Sequence, residues 1–254
     1  GVRNQMYQFF VEPSQIQGNR IVITGSDVNH IKNVLRMKPG EKIRVCTRSG
    51  QNYFCSISDI TESFVRADIL EKEAESTELP CRIYLFQGLP KNDKMEWIIQ
   101  KTVELGVYEV IPVAMKNCVV KLDDKKAKSK VTRWQAIAES AAKQSKRSLI
   151  PEVKMPMSYK EAVAYAKELD VKLVPYENEH GMAGTKAAME QIKKGESIAV
   201  FIGPEGGFAP EEIALVQDEM QLISLGKRIL RTETAGIAAL AILGYQLESS
   251  DMIE

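Results

Sequence analysis

The feature that most constrains the fold is a regular alternation of apolar strands and helical segments after Cys81. Short apolar runs rich in β-branched residues predict strands, and the longer segments between them repeat apolar residues at helical spacing. This alternation predicts a parallel β-sheet with helices on both faces, an α/β fold. The predicted strands are 82–86, 110–113, 171–175, 198–202 and 222–225. Helices are expected near 93–105, 129–144, from 158 onward, and at 185–193, 210–220 and 232–247.

Residues 6 to about 70 follow a different pattern of short strands, separated by turn signals such as Pro39-Gly40. One short helix, for which Asp27 is a suitable cap, interrupts them. Many short strands at close intervals predict a small β-barrel. The charged stretch 71–80 lacks apolar periodicity and is the best linker candidate. The predicted domains are therefore a barrel at 1–75, in which 1–5 resemble a leader, and an α/β domain at 76–254.

Composition narrows the classes of function. Lys plus Arg and Asp plus Glu number 34 each, so the formal net charge of zero suggests no particular partner. No apolar run approaches the roughly 20 residues that span a bilayer, and the N-terminal segment lacks an apolar signal region, so a cytoplasmic protein is expected. Four cysteines and two histidines lack the close spacings of metal ligands, which predicts reduced thiols and no metal site.

A glycine-rich turn, Gly203-Pro204-Glu205-Gly206-Gly207-Phe208, follows the apolar strand 198–202. Ligands of α/β proteins bind beyond the carboxyl ends of strands, and glycines allow backbone N–H groups to approach a ligand closely. The spacing matches neither the dinucleotide fingerprint nor the P-loop, which disfavours a dehydrogenase or a kinase. A tight turn that merely requires glycine is the alternative interpretation.

Two further strand ends are predicted to border the same crevice. Strand 222–225 is followed by the polar connection 226–231 and by a helix that Thr232 is suited to cap. Strand 171–175 ends at Tyr176-Glu177. Because neighbouring parallel strands end at one edge of a sheet, the three loops are expected to form one pocket.

Basic residues are concentrated in 116–147, which holds ten Lys or Arg and three Asp or Glu. A second basic group lies between His30 and Arg44 in the barrel region. Basic patches are the electrostatic footprint of a phosphate backbone, so the two groups favour RNA as the partner. An ordinary solvated helix and loop is the alternative interpretation of the first group.

The segments 203–208 and 225–235 together resemble the motifs of the SPOUT methyltransferases, and specifically the RsmE family, which methylates N3 of a uridine in 16S ribosomal RNA. Segments 30–37, 88–96 and 142–147 resemble the same family, so the similarity extends over nearly the whole chain from Met6. The resemblance implies an RNA methyltransferase that uses S-adenosyl-L-methionine. It also implies a PUA-like N-terminal barrel, a trefoil-knotted α/β domain, assembly as a homodimer, and 16S ribosomal RNA or the assembled small subunit as substrate.

The resemblance further implies which residues form the site. Arg231 is the candidate for stabilising the uracil oxyanion, and Glu205 is the next candidate for a catalytic role. The cofactor would be held by Val174, Pro175, Tyr176, Glu177, Phe201, Ile202, Gly203, Pro204, Glu205, Gly206, Gly207, Leu225, Gly226, Ile229, Leu230, Arg231, Thr232, Glu233, Thr234 and Ala235. RNA would be bound by His30, Arg36, Arg44, Lys91, Lys94, Lys143, Gln144 and Arg147.

Two alternatives stay open at this stage. The first is a SPOUT methyltransferase that acts on another RNA site or another atom. The second is a non-catalytic RNA-binding factor of ribosome assembly that kept the fold. A pure binding protein does not need three glycines at 203–207 beside a fourth glycine at 226, so the glycine loop distinguishes it from the enzyme.

Overall fold

Residues 6–47, 51–73, 76–179 and 181–249 are described by the structure, a computed structural model, so the expected leader 1–5 lies outside them. The chain divides into two units, the first holding residues up to 78 together with 142–150, and the second holding 79–141 and 151 onward. Segment 142–150 therefore groups with the N-terminal unit, although it follows the first half of the α/β region in the sequence. The domain boundary between residues 75 and 76 stays a prediction.

The first unit is built on a curled six-stranded sheet, the predicted N-terminal β-structure. Its strands lie in the order β1-β4-β5-β6-β3-β2, with β1 and β4 parallel and the other pairs antiparallel. Apolar side chains such as Phe9, Ile21, Ile43 and Ile57 are buried in one core. The strands are β1 Gln8–Val11, β2 Ile16–Gln17, β3 Arg20–Ile23, β4 Lys42–Thr47, β5 Asn52–Ile60 and β6 Val65–Glu73. Because β6 extends to Glu73, residues 71–73 of the predicted linker are strand.

The predicted short helix is present as α1, Ser26–Asn29, which continues into a π-helical turn at His30–Val34. Val28 and Ile31 are buried as the apolar spacing predicted. Asp27 was predicted to cap this helix, but the N-cap residue is Gly25 with φ +76°. Asp27 lies within the helix, and its carboxylate pairs with Lys143 instead.

The second unit confirms the predicted parallel sheet flanked by helices. Strands β10-β8-β7-β12-β11-β13 are neighbours in that order, β9 pairs with β8, and all pairs are parallel. The strands are β7 Arg82–Gly88, β8 Glu109–Ala114, β9 Glu152–Val153, β10 Met157–Ser158, β11 Val171–Pro175, β12 Ser197–Ile202 and β13 Gln221–Ile223. The helices are α2 Lys94–Glu104, α3 Asp124–Gln144, α4 Tyr159–Ala166, α5 Ala183–Glu190, α6 Pro210–Val216 and α7 Thr232–Ser249. The trefoil knot stays a prediction.

Local signals set most helix ends. The Ser158 hydroxyl accepts from the Glu161 amide in the predicted capping box, and Gly106 ends α2 with φ +101°. Helix α3 begins five residues before the predicted start, because the Asp123 carboxylate accepts from the Lys126 amide and caps an additional turn. Of the helices in the described ranges, none is long and apolar enough to cross a membrane.

The centre of the second unit is apolar on both sides of the sheet. The rings of Phe86 on β7 and Phe201 on β12 are fully buried and stack with centroids 4.4 Å apart. These two strands lack polar alternation because both of their faces are covered. All four cysteines are free and buried, and burial raises the pKa of Cys46 and Cys55 to about 12, so these thiols stay protonated at neutral pH.

Candidate functional site

Three loops meet at one edge of the parallel sheet, as the sequence predicted. Strand β11 lies between β12 and β13, with Leu173 opposite Val200 and Pro175 opposite Ile223. The loops that follow these strands enclose a cavity of about 430 Å³, a volume in the range of small-molecule sites. The cavity is lined by Pro175, Tyr176, Glu177, Asn178, Ile202, Gly203, Pro204, Gly207, Phe208, Ser224, Leu225, Gly226, Lys227, Arg228, Ile229, Leu230 and Ala235.

Most residues predicted to hold the cofactor line this cavity, and the exceptions fall into two groups. Val174 and Phe201 are buried in the core beneath it. Glu205, Gly206, Arg231, Thr232, Glu233 and Thr234 are not among the lining residues. Five lining residues were not predicted: Asn178, Phe208, Ser224, Lys227 and Arg228. Four of these five, Asn178, Phe208, Lys227 and Arg228, lie in the three loops that were predicted to form the pocket. Including every residue of those loops would therefore have identified them.

Glycine is required in these loops for two different reasons. Gly226 has φ +117° and Gly207 has φ +70°, a left-handed region that side-chain-bearing residues rarely adopt. A Cβ at Gly203 would lie 3.2 Å from the Phe208 amide nitrogen, so the loop folds back tightly on itself there. The backbone of the loops thus borders the cavity directly.

A buried hydrogen-bond relay fixes the start of α7 against the glycine loop. The Gln87 side-chain amide donates to the Thr232 hydroxyl at 2.8 Å, and that hydroxyl donates to the Gly203 carbonyl at 2.6 Å. Thr232 was predicted to be the N-cap of this helix, but its hydroxyl is committed to Gly203. Arg231 takes the N-cap position, since the Ala235 amide donates to its carbonyl.

Asn117, which follows β8, holds the glycine loop, and Glu212 on α6 fixes the segment after the loop to the same part of the chain. The Asn117 side-chain amide donates to the carbonyls of Gly206 and Gly207, at 3.1 and 3.2 Å. The Glu212 carboxylate is buried and accepts from the amides of Ala209 and Lys116. Neither residue was predicted, because Asn117 acts on glycines about 90 positions away and Glu212 joins Ala209 to Lys116, which is 96 positions away.

A second pair of contacts fixes the loop after β13. The Thr185 hydroxyl on α5 donates to the Ser224 carbonyl at 2.8 Å and accepts from the Ser224 amide at 2.9 Å. The Ser224 hydroxyl in turn accepts from the Gly226 amide. The third loop is anchored to the same strand, since the Tyr176 amide donates to the Ile223 carbonyl. The cavity walls are therefore held by hydrogen bonds within the protein.

Glu205, a predicted catalytic residue, joins the glycine loop to the start of α2. Its carboxylate accepts from the Lys91 amide at 2.7 Å and from the Lys94 ammonium at 3.1 Å. Burial acts to raise the pKa of Glu205, but the hydrogen bonds from Lys91 and Lys94 outweigh it and hold the pKa below its ordinary value. Lys94 also lies 3.8 Å from the Glu233 carboxylate. A carboxylate with these partners stays ionised and is a weak proton acceptor.

Four of the residues predicted to bind RNA have their charges balanced within their own unit. Arg44 pairs with Glu73, Lys94 with Glu205, Lys143 with Asp27, and Arg147 with Glu78. Arg147 is also only 3% exposed. The other four predicted RNA contacts, His30, Arg36, Lys91 and Gln144, are exposed.

Comparisons with known proteins show the family of the chain. A family model described as an RNA methyltransferase domain matches residues 77–244, and one described as an RNA methyltransferase PUA domain matches residues 23–70. A curated relative from Bacillus subtilis (strain 168), named ribosomal RNA small subunit methyltransferase E, is 38% identical over 250 residues, which cover 96% of this chain and 98% of the relative.

Solved structures give the same result. The ribosomal RNA small subunit methyltransferase E of Neisseria gonorrhoeae, solved with bound S-adenosyl methionine, superposes with a TM-score of 0.80 at 32% identity and covers 94% of this chain and 97% of its own. A putative methyltransferase of Legionella pneumophila, solved with the bound cofactor SAM, superposes with a TM-score of 0.79 at 30% identity and covers 94% and 97%. The chain therefore belongs to the RNA methyltransferase family, among the relatives named ribosomal RNA small subunit methyltransferase E.

Proposed function

We propose that the protein transfers a methyl group from S-adenosyl-L-methionine to N3 of a uridine in 16S ribosomal RNA. The observation that carries the proposal is the cavity at the ends of β11, β12 and β13, formed by the loops that resemble the family motifs. Relatives over nearly the full chain are named as small-subunit rRNA methyltransferases, which supports the choice of 16S rRNA. The residues that bind RNA remain part of the proposal.

The residues around the cavity fit S-adenosyl-L-methionine. Apolar residues such as Ile202, Leu225 and Leu230 supply surface for a purine face, while the peptide groups of Gly203 and Gly226 offer donors and acceptors. Glu177 and Arg228 place opposite charges in the same lining, as suits an amino acid moiety with an ammonium and a carboxylate. We propose that the predicted cofactor residues that line the cavity hold this molecule.

When bound, the cofactor supplies an activated methyl group on a sulfonium. In the transfer, the N3–CH₃ bond forms as the S–CH₃ bond breaks, and the proton on N3 leaves to water or to a base. The chain's part is mainly to hold the uracil and the methyl group in line, and such positioning can lower a barrier by about 7–11 kcal/mol at most. The relay Gln87–Thr232–Gly203 and the amide of Asn117 keep the loops rigid for this purpose.

Arg231 is the proposed substrate contact. It lies at the exposed N-cap position of α7, directly after the loop that lines the cavity, and it is not part of the lining itself. A guanidinium there can stabilise the negative charge that develops on the uracil oxygens as N3 loses its proton. Glu205 is proposed to act as a positioning residue, because its contacts with Lys91 and Lys94 leave it a poor base.

We further propose that the protein acts as a homodimer through the outward face of α7. The inner side of this helix buries Ala239, Leu240 and Leu243, yet its outer side is also apolar and ends at Tyr245, which is 76% exposed. Beside it, α5 and α7 border a second cavity of about 390 Å³ whose lining includes Met182 and Met189. Helices that are apolar all round are normally covered, and a second copy of the chain is the proposed cover.

The proposed function is tested in two steps. Calorimetry measures the binding of S-adenosyl-L-methionine to the wild type, to Gly203→Val and to Gly226→Val, with circular dichroism as the folding control. Small subunits that lack the modification are then incubated with the protein and the cofactor, and mass spectrometry of the RNA locates any methyl group. N3-methyluridine in 16S rRNA is the expected product. Cofactor binding with methylation elsewhere would favour another SPOUT activity, and RNA binding without cofactor binding would favour a non-catalytic assembly factor. We propose the cytoplasm as the location of the protein, since small subunits assemble there.

A further inference from the structure

We infer that the beginning of α3 is a docking surface for the phosphate backbone of RNA, an inference that rests on the proposed function and specifies how its substrate is gripped. The surface is the α3 lysine cluster, made up of Lys121, Lys125, Lys126, Lys128 and Lys130. All five lie in the basic stretch 116–147, which favoured RNA as the partner, although none of them was among the eight individual residues named as RNA contacts. All five are exposed.

The packing of α3 turns the cluster toward solvent. On this helix Ala127, Trp134 and Ala138 are buried, at spacings that place them on one side. The lysines at 125, 126 and 128 lie around the remaining arc of the first two turns. Four of the five lysines therefore lie on the exposed side of the first turns of α3, and Lys121 lies just before the helix.

The charges of the cluster are not balanced inside the protein. Within the described residues, Lys121, Lys125, Lys126 and Lys128 make no side-chain hydrogen bond or ion pair. The two acids in the same stretch are Asp123, whose carboxylate caps the helix, and Asp124. This differs from Arg44, Lys94 and Arg147, each of which is paired with a glutamate. In a chain of zero formal net charge, this local excess is an exposed positive surface that attracts an anionic partner.

The cluster begins close to the proposed catalytic site. Asn117 contacts the glycine loop, and Lys121 follows it by four residues. An extended chain advances at most about 3.6 Å per residue, so the two Cα atoms are no more than about 14 Å apart. RNA bound along the first turns of α3 would therefore lie within a few nucleotides of the base that enters the site.

The chemistry of the cluster favours a backbone over base recognition. Lysine ammoniums are flexible point charges that pair with phosphate oxygens without the fixed geometry needed to read a base. We therefore expect the cluster to supply affinity and salt dependence rather than the choice of nucleotide.

The test compares two triple variants that lose the same charge. The first is Lys125→Gln/Lys126→Gln/Lys128→Gln. The control is Lys160→Gln/Lys193→Gln/Lys194→Gln, which removes three exposed lysines from other parts of the same unit. Binding of protein-free 16S rRNA and of assembled small subunits is measured for both variants and for the wild type over a series of salt concentrations. Calorimetry with S-adenosyl-L-methionine checks that the cofactor site is intact.

For the cluster variant we expect the affinity for RNA to fall about tenfold or more and the slope of log affinity against log salt to decrease by about 2, while cofactor affinity is unchanged. An affinity and slope equal to those of the control would overturn the inference. So would a loss of affinity for assembled subunits alone, which would assign the cluster to a ribosomal protein. Failure of the proposed function is seen separately, as wild-type protein that binds RNA but leaves N3 of uridine unmethylated.

Discussion

Asn117 restrains Gly206 in two ways: its side-chain amide donates to the Gly206 carbonyl at 3.1 Å, and its Cβ lies 2.9 Å from where a Cβ at position 206 would be. The backbone of Gly206 does not have a positive φ, so a side chain there is excluded by this neighbour and not by backbone conformation. The conformation of the glycine loop is thus restrained by Asn117, a residue that does not line the cavity.

Replacing Gly206 with alanine is expected to displace the glycine loop and weaken cofactor binding about tenfold, the effect of roughly 1.4 kcal/mol of steric strain. In the double variant Gly206→Ala/Asn117→Gly the clash with the Asn117 Cβ is absent, so part of the affinity should return. Calorimetry with S-adenosyl-L-methionine measures both. Gly184→Ala is the matched control, because a Cβ at Gly184 meets nothing within 4 Å. Equal affinity for the Gly206→Ala variant and the wild type would contradict the prediction.

Substitution of Arg231 separates binding from catalysis. Because Arg231 does not line the cavity, Arg231→Ala should bind the cofactor with wild-type affinity. Loss of its charge beside the reacting uracil should lower kcat by about 10²–10³, the usual effect of removing a donor to a developing oxyanion. Single-turnover methylation of small subunits measures the rate, and Arg231→Lys should recover part of it. An unchanged rate would remove Arg231 from the site.

The effect of Glu205→Gln on kcat, and on the dependence of the rate on pH, distinguishes a positioning role from a general base. As a positioning residue, Glu205→Gln should lower kcat by less than about tenfold and leave the shape of the pH–rate profile unchanged. A general base would instead contribute about 10²–10⁴ and would appear as a limb of that profile. The pKa of Glu205 lies below its ordinary value. The stability that its ionised carboxylate contributes is therefore fully present at a pH above the ordinary pKa, and it is lost as the pH falls through the lowered pKa. The stability difference between wild type and Glu205→Gln should therefore shrink in acid.

Glu109 is expected to give the opposite pH dependence. It is buried, and burial raises its pKa even though the Tyr165 hydroxyl donates to it at 2.6 Å. The folded state therefore holds its proton more tightly than the unfolded state, so stability should decrease as the pH rises from the ordinary carboxyl pKa through the raised one. Glu109→Gln can still accept from Tyr165 and should remove this decrease. Urea unfolding at several pH values, with the exposed Glu190→Gln on α5 as control, measures the difference.

Self-association is tested on the outer face of α7. A charge at Tyr245 would be buried in the proposed dimer, so Tyr245→Glu should shift the protein from dimer to monomer in sedimentation velocity experiments. Leu215→Glu changes an exposed apolar residue on α6 and should leave the association state unchanged. A wild-type protein that sediments as a monomer at micromolar concentration would contradict the proposal.

The strands and the position of the cavity followed from local patterns. Each of β11, β12 and β13 is apolar and ends in a loop rich in glycine or polar residues, and the parallel arrangement brings such ends together. Pro175, Gly203 and Leu225 line the cavity for that reason.

What escaped prediction depends on pairs of residues that are distant in the sequence. Gln87 and Thr232 are 145 positions apart, and only the fold brings the amide to the hydroxyl. The same hydrogen bonds explain why Thr232 is not the N-cap that its sequence context predicted. Charge counts along the chain likewise could not show that Arg147 is buried against Glu78, while the lysines at the start of α3 remain exposed.

The insertion of β12 between β7 and β11 sets the order in which this protein can become functional during its synthesis. Arg82 on β7 pairs with Ser197 on β12, so a growing chain carries an incomplete sheet until the ribosome has released more than a hundred further residues. Pairings this distant in sequence form slowly, and the open edges of β7 and β11 are exposed meanwhile. Chaperones that shield strand edges are therefore expected to matter more for this chain than for a helical protein of the same length. A nascent chain that stops short of β13 lacks one of the three loops that form the cavity.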